Sequence, residues 1–291
     1  MVGTLLWMWS GTAHAYVDEA CADWAAAGPP EDYNEQAQQD YLANYFALTT
    51  TFSPLHAPVP HEGGHGSVGL DVGILPPVGC PHRLVLNYTK TEDTNKSPIV
   101  PRPSVSYSFP TFGRTTLYAG AAYVPPVTLF GVTNVILSGE LGVGVALGEV
   151  LQVGGRFHAT SMKTVGEIAT PFVEGGTAFD DLYVASTFGL DLMVGTDFDI
   201  VTPYVALGWT DASTFFYIGD DNVVTNNYHP YFGFTGSVGV DALVADHLRL
   251  GGEFYAAPGG YSQPVKDLEN VTPASRYGHL YTGRFRIALE L

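Results

Sequence analysis

Residues 132–147 read VTNVILSGELGVGVAL, and their side chains alternate in character along the chain. From Val135 to Leu147, every second residue is apolar or glycine, and the residues between them are mostly small or polar. A period of two places alternate side chains on opposite faces of a β-strand. Residues 151–160, LQVGGRFHAT, alternate in the same way after a turn at Gly148. The stretch therefore predicts an antiparallel hairpin with one apolar and one polar face.

The same period recurs along the chain and predicts about twelve strands. Segments of about ten residues with alternating hydrophobicity are typical of strands that span a membrane. We expect strands at 44–53, 66–75, 82–90, 103–110, 114–124, 132–147, 149–161, 182–197, 200–210, 230–242, 246–256 and 279–291.

The connections between these strands alternate in length. Outer-membrane barrels have short periplasmic turns and long external loops. The alternation therefore predicts an all-β fold, an antiparallel transmembrane β-barrel of about 12 strands (range 10–14) with a short N-terminal helix and both termini on the periplasmic side. The long connections are 54–65, 91–102, 162–181, 211–229 and 257–278, and the short ones are 76–81, 111–113, 198–199 and 243–245.

The composition excludes several other classes of protein. The chain has 291 residues, of which 46% are hydrophobic and 14% are charged, against about 25% charged in a typical soluble domain. No run reaches the roughly 18 apolar residues that a spanning helix needs. The net charge of −17 and the lack of a basic run exclude nucleic acid as a partner. A soluble exported β-sandwich has the same alternation and stays as an alternative.

The last strand, RFRIALEL at 284–291, carries a resemblance to a known class. It resembles the carboxy-terminal strand that outer-membrane β-barrel proteins present to their assembly machinery, although Leu291 stands where an aromatic residue is usual. The resemblance implies the outer membrane of a Gram-negative (diderm) bacterium. It also implies the lipid bilayer and the barrel-assembly machinery as partners.

The amino-terminal region divides into three parts. Residues 1–15 predict a signal peptide cleaved after Ala15. Residues 16–43 are expected to form a periplasmic segment, and 44–291 the barrel. Residues 31–46 predict an amphipathic helix whose aromatic face carries Tyr33, Tyr41 and Tyr45. A helix before a barrel is similar to the amino-terminal plug of the long-chain fatty-acid transporter family, so the helix is expected to plug or cap the barrel.

Two cysteines, Cys21 and Cys80, predict a disulfide, because exported chains with an even cysteine count form disulfides. With Cys80 in the short connection 76–81, both would lie in the periplasm. The bond would tie the helix to the barrel rim.

The polar faces of the strands identify candidate residues for the barrel interior. If Gly148 alone forms the hairpin turn, Glu140 faces Arg156 across the two strands. Such residues either fill the barrel with a salt-bridge network or line a hydrated pore. The lumen-lining candidates are Glu140, Arg156, His158, Asp191, Asp241, Arg249, Glu253, Arg284 and Arg286.

Motifs for chemistry are weak. His61-Glu62-Gly63-Gly64-His65 matches H-E-x-x-H, but that spacing needs a helix to bind zinc, and two glycines in a loop do not form one. Pairs such as His158 with Ser161 or His247 with Asp241 lack a nucleophile elbow. We therefore expect no catalytic residue, no metal and no cofactor.

These observations predict a porin-like protein, either a passive pore or a facilitated-uptake channel for small or apolar solutes. The alternative is a structural or adhesive barrel with a filled lumen.

Overall fold

The computed structural model describes residues 19–28, 35–85, 90–92, 98–129, 131–166, 168–171, 180–218, 223–226, 231–245, 247–258 and 279–291. The helices are α1 (Glu19–Ala27), α2 (Glu35–Thr49) and α3 (Cys80–Arg83). The strands are β1 (Gly66–Ile74), β2 (Leu84–Val85), β3 (Lys90–Glu92), β4 (Ile99–Ser108), β5 (Thr115–Leu129), β6 (Val132–Leu147), β7 (Leu151–Gly166), β8 (Ala169–Pro171), β9 (Asp181–Thr196), β10 (Val201–Ile218), β11 (Val223–Asn226), β12 (Tyr231–Ala245), β13 (Leu248–Ala257) and β14 (Leu280–Glu290).

Ten of these strands close into an antiparallel barrel. The order is β10-β12-β13-β14-β1-β4-β5-β6-β7-β9, and β9 pairs back with β10. The short β11 pairs with β10, and β2, β3 and β8 form a separate three-stranded sheet. Each barrel strand corresponds to a predicted one, so the fold class is confirmed, whereas the estimate of about twelve strands is corrected to ten.

Two of the twelve predicted strands, 44–53 and 82–90, are not strands of the barrel. Residues 44–53 are the end of α2 and the start of an extended segment. The threonine run in that segment resembles a strand, but the hydroxyls of Thr49, Thr50 and Thr51 donate to carbonyls of Phe46 and Ala47 in the helix. In the described part of the other segment, 82–85 and 90, the extended residues belong to β2 and β3 of the small sheet, and the first two residues belong to α3.

The barrel has two different ends. Four connections at one end, 109–114, 148–150, 197–200 and 246–247, are short, and we call this the short-turn end. The connections 75–98, 167–180, 219–230 and 258–279 lie at the opposite, long-loop end, together with the short connection 130–131 between β5 and β6. Gly66 and Leu291 exchange main-chain hydrogen bonds at the short-turn end, so the last strand finishes on the predicted side.

The hairpin register differs from the expected one. Its turn spans 148–150, so Glu140 pairs with His158 and Arg156 pairs with Gly142. The expected direct pairing of Glu140 with Arg156 is therefore wrong by two residues, because the turn has three residues rather than one.

The apolar faces of the strands point outward and the polar faces point into the barrel. Leu192, Leu207 and Phe234 are 75%, 67% and 67% exposed, whereas Glu140 and Arg156 are 3% and 2% exposed. A soluble sandwich would bury the apolar face, so this arrangement excludes it. Exposed aromatic residues, Phe109, Phe112 and Phe198, cluster at the short-turn end, as in the interfacial girdles of membrane barrels.

The helices lie at the long-loop end. Cys21 of α1 and Cys80 of α3 form the predicted disulfide. Because 82–90 is not a barrel strand, Cys80 lies in the long connection 75–98, opposite the short turns, and its expected placement in a short turn is wrong. The amino-terminal segment was expected on the short-turn side, but its described helices lie at this mouth. Among the described residues, no helix is both long and apolar enough to cross a membrane.

Candidate functional site in the barrel lumen

An extended stretch of chain occupies the barrel interior. Residues 50–62, which we call the lumen segment, leave α2 at the long-loop end and reach β1 at the short-turn end. From Thr50 to His61 every residue is buried except Val59, which is partly buried. The lumen is therefore filled by a segment that belongs to neither barrel sheet nor helix.

Three arginines from three strands hold the end of α2 and the start of the lumen segment. Arg284 donates to the carbonyls of Thr51 at 2.8 Å and Leu48 at 3.0 Å. The last carbonyls of a helix lack partners within it and carry partial negative charge. The guanidinium groups, which we call the arginine clamp, supply both the hydrogen bonds and the positive charge. The other two contacts are Arg102 to Thr50 O at 2.8 Å and Arg156 to Phe52 O at 2.6 Å.

Oxygen atoms of the wall accept the main-chain N–H groups of the lumen segment. Leu55 donates to Glu253 at 3.3 Å, and Ala57 donates to Asp241 at 3.2 Å. Further along, Val59 donates to the Gln152 side chain at 3.2 Å. The wall thus binds the segment chiefly through its backbone.

The same charged residues also pair with one another. Arg156 bridges Glu140 at 2.7 Å and Asp191 at 2.8 Å, so the pair expected from sequence forms diagonally across the strands. Other pairs are Arg286 with Asp71 at 2.7 Å, Arg249 with Asp241 at 2.8 Å and Arg249 with Glu290 at 2.7 Å. The structure places all nine candidates inside the barrel, buried except for the partly exposed Arg249: Glu140, Arg156, His158, Asp191, Asp241, Arg249, Glu253, Arg284 and Arg286.

Sequence reasoning missed several lumen residues. Asp71 lies on the polar face of the predicted strand 66–75, so the alternation could have identified it. Arg102 lies one residue before the predicted start of its strand at 103. His56, whose Nε2 lies 3.3 Å from Glu140, gave no signal, because an extended lumen segment has no periodic pattern.

Pro58 sits in a slot formed by glycines of three adjacent strands. A Cβ atom added to Gly144 would lie 2.3 Å from the Pro58 carbonyl oxygen, and one added to Gly195 would lie 2.8 Å from its ring. Gly154 faces the same proline, with 3.2 Å between a built Cβ and that of Pro58. These glycines let the lumen segment approach the wall closely.

Residues 61–65, which match H-E-x-x-H, form bends and a turn rather than a helix. His61 is buried, with Nε2 2.7 Å from Ser106 Oγ and Nδ1 3.5 Å from Glu290, whereas Glu62 and His65 are exposed. Within the described ranges, no group of three His, Cys, Asp or Glu residues is arranged to hold a metal.

The other two pairs considered for chemistry do not assemble. His158 points into the barrel while Ser161 is exposed on the outer face. His247 is exposed in a turn, and Asp241 instead binds Arg249.

The aromatic face of α2 packs at the long-loop mouth. Tyr41 and Tyr45 are buried, and Tyr33 lies outside the described residues. Burial raises the pKa of Tyr41, so its hydroxyl stays neutral. A cavity of about 200 Å³ adjoins this face and is lined by Tyr41, Tyr45, Pro76, Pro77, Val78, Gly79, His279, Leu280 and Tyr281. By contrast, a cavity in the lumen beside Arg156 measures about 10 Å³, room for one water molecule at most.

A closed antiparallel barrel with an apolar outer belt, aromatic residues at its edge and a polar interior defines an outer-membrane β-barrel protein. This chain is one, and it resides in the outer membrane.

Comparison with known proteins gives no closer identity. No family model and no curated protein matches the chain. Solved structures with a similar overall shape include the Pseudomonas putida toluene transporter TodX, at 13% identity and a TM-score of 0.38, covering 85% of this chain and 75% of that one. The translocator domain of the autotransporter NalP from Neisseria meningitidis has 10% identity and a TM-score of 0.38, covering 94% and 99%.

The outer membrane protease OmpT from Escherichia coli has 8% identity and a TM-score of 0.37, covering 83% and 98%. A transporter, a translocator and a protease at such low identity transfer no activity to this chain.

Proposed function

We propose that this protein is a plugged outer-membrane channel that is closed at rest and passes small solutes when its lumen segment is displaced. One observation carries the proposal: the lumen segment is held by side chains of the wall and has no place in the order of barrel strands. It can leave without breaking a backbone ladder of the barrel.

The chemistry of the wall supports a hydrated open state. Burying ionised groups is costly, and apolar side chains of similar size often stabilise an interior as well or better. A lumen filled only for stability has no need of Arg102, Arg156 and Arg284 together with several carboxylates. Once the segment leaves, these groups would line a water-filled passage with charges of both signs.

The closed state argues against a permanently open pore. A passive pore was one expectation from the sequence, but residues 50–61 fill the described lumen. In the proposed mechanism, passage therefore requires an opening step in which water replaces the segment at the arginine clamp.

The expectation of an apolar solute has separate support in the cavity beside α2. Its volume of about 200 Å³ and its tyrosine, proline and leucine lining suit a molecule about the size of one aromatic ring, since a dry cavity of about 150 Å³ binds benzene. In this version of the proposal, a small apolar solute binds at the mouth, in contact with the helix that continues into the lumen segment.

A second candidate function is a filled barrel that presents its long-loop face to a partner. The observation in its favour is that the lumen segment is anchored at both ends, to β1 at one and through α2 to the disulfide-linked helices at the other. In this case the lumen segment would never leave.

Planar-bilayer conductance distinguishes the two functions. The test compares the full mature chain, a chain starting at residue 35 and a chain starting at residue 62. The chain from 35 keeps α2 and the lumen segment and is the matched control, whereas the chain from 62 lacks both. Heat-modifiable gel migration checks that each barrel is folded.

We expect the first two chains to be closed at low voltage and the third to conduct steadily. A folded chain from 62 that does not conduct would contradict the channel and favour the filled barrel. Steady conductance by the full chain would contradict closure at rest.

A further inference from the structure

One seam of the barrel wall is paired over only part of its length. Strands β4 and β5 pair from Ser108↔Tyr118 to Ser104↔Ala122 and no further. Beyond that point β4 continues to pair with β1 as far as Ile99, and β5 continues to pair with β6 as far as Leu129. Both strands therefore extend toward the long-loop end, but not joined to each other.

Prolines remove the donors that this seam would need. At the short-turn end of this seam, Phe109 N donates to Leu117 O of β5, and Ser108 N donates to His65 O on the β1 side. Main-chain N–H groups alternate in direction along a strand, so odd-numbered residues of β4 face β5. The odd positions of β4 above Ser104 are Pro103, Pro101 and Ile99, and the two prolines have no N–H.

The facing strand carries the same feature. By the same alternation, Leu117 and the odd-numbered residues that follow it on β5 face β4 up to the register shift between Val124 and Val127. Pro125 and Pro126 lie inside that register shift, where two residues of β5 stand opposite one of β6, and neither has an N–H. This stretch of β5 therefore lacks two main-chain donors, whereas the ladders on the outer sides of both strands continue on either side of the shift.

Side chains, rather than backbone hydrogen bonds, close the wall at this place. Val124 and Arg102, which point inward beside the seam, are only 7% and 2% exposed. Val124 belongs to a buried apolar cluster with Ile136, and Val100 packs against that cluster. On the outer face, Tyr123 is 48% exposed.

We propose that the unpaired part of the β4–β5 seam, 99–103 of β4 and 123–129 of β5, is a lateral portal. It parts to admit an acyl chain of a membrane lipid from the leaflet at the long-loop side. Among the described residues, β4 and β5 share no ladder pair above Ser104 and Ala122, so parting them there leaves the described ladders intact. A β-strand of a peptide or of a second copy is a poor occupant, because prolines remove main-chain donors from both strands at this seam. An acyl chain needs only carbon contacts, which the outer face and the cluster around Val124 and Ile136 provide.

Quenching of tryptophan fluorescence by brominated acyl chains tests the portal. The reporter is Val124→Trp in a Trp209→Phe background, reconstituted in vesicles of phospholipid with or without brominated chains. The control reporter, Met193→Trp, also points inward, but from β9, which is fully paired on both sides. Trp24 is present in both variants and gives a common background.

We expect severalfold stronger quenching at position 124 than at position 193. The triple variant Pro101→Thr, Pro103→Val, Pro125→Thr restores both donors of β4 and one donor of β5, and in it the quenching at 124 should fall to the level of the control. Heat-modifiable migration checks folding, and Val100→Trp replaces the first reporter if that variant does not fold. Equal quenching at 124 and 193, or quenching at 124 that survives the triple substitution, would overturn the proposal.

Discussion

Arg284 contacts the end of α2 and the start of the lumen segment through their main-chain carbonyl groups. Its guanidinium donates to Leu48 and Thr51 and lies 3.9 Å from the ring centre of Tyr255. Carbonyl dipoles and an aromatic face both stabilise a cation. The hydrogen bonds described for this arginine all go to the end of α2 and the start of the lumen segment, so displacing them would leave its guanidinium group to be hydrated by water.

The glycine slot for Pro58 predicts that a larger residue at Gly144 lowers the stability of the barrel. Gly144→Ala places a methyl group 2.3 Å from a main-chain oxygen of Pro58, and overpacking of this kind costs about 1–3 kcal/mol. We expect a lower temperature for the loss of heat-modifiable migration and a partly displaced lumen segment, which the conductance assay would detect.

The matched control for the slot lies on the same strand. Gly139→Ala points outward, and its nearest atom, Gly120 O, would be 3.7 Å away, which is ordinary contact. Equal behaviour of the Gly144 and Gly139 variants would show that Pro58 does not need the slot.

Among the secondary-structure elements, the disulfide links two helices at the long-loop end of the barrel. Cys21 and Cys80 are separated by 59 residues and join α1 to α3, beside α2. The closed loop includes α2, the lumen segment and β1. The bond therefore restrains the helices at the long-loop end rather than the barrel wall.

Cys21→Ser with Cys80→Ser should therefore loosen the mouth and leave the barrel folded. Closing a loop of about 60 residues contributes roughly 4 kcal/mol in the chain-entropy model. We expect faster cleavage before α2 in limited proteolysis, read by mass spectrometry, with unchanged heat-modifiable migration. The reduced native chain should behave in the same way, and an unchanged cleavage pattern in both would contradict the restraint.

Which elements could be predicted from sequence depends on how each one meets its surroundings. Barrel strands contact lipid on one face and the lumen on the other, so they carry the alternation that revealed all ten. The segment 50–62 is surrounded by wall on all sides, so its pattern has no period, and Thr49–Thr51 resembles a strand. The arginine clamp could be predicted as lumen charge, but its ligands could not, because main-chain carbonyls have no signature in the sequence.

At the scale of the whole molecule, the outward face determines where the barrel sits. Leu192 lies within the exposed belt at 75% exposure, whereas Ile200, at 60%, lies in a turn at the short-turn end. Arginine on the lipid face costs about 2–4 kcal/mol near the bilayer midplane and about 0–1 kcal/mol near the interface. The position of a substitution along the belt should therefore decide its effect.

We expect Leu192→Arg to lower the free energy of unfolding in vesicles by about 2–4 kcal/mol and Ile200→Arg to change it by less than about 1 kcal/mol. Urea titration followed by tryptophan fluorescence measures both. Similar losses for the two variants would mean that the belt does not cross the bilayer as the exposed residues indicate.

The path of the chain through its own barrel has a consequence for the order of assembly. The lumen segment precedes β1, and the wall closes only when β1 pairs with β14, more than 200 residues later. If the cylinder were completed first, α1 and α2 would have to be drawn through it lengthwise. The strands of the wall are therefore expected to assemble around the lumen segment while it is already in place. The arginines of β4, β7 and β14 would bind it as each of these strands joins the barrel.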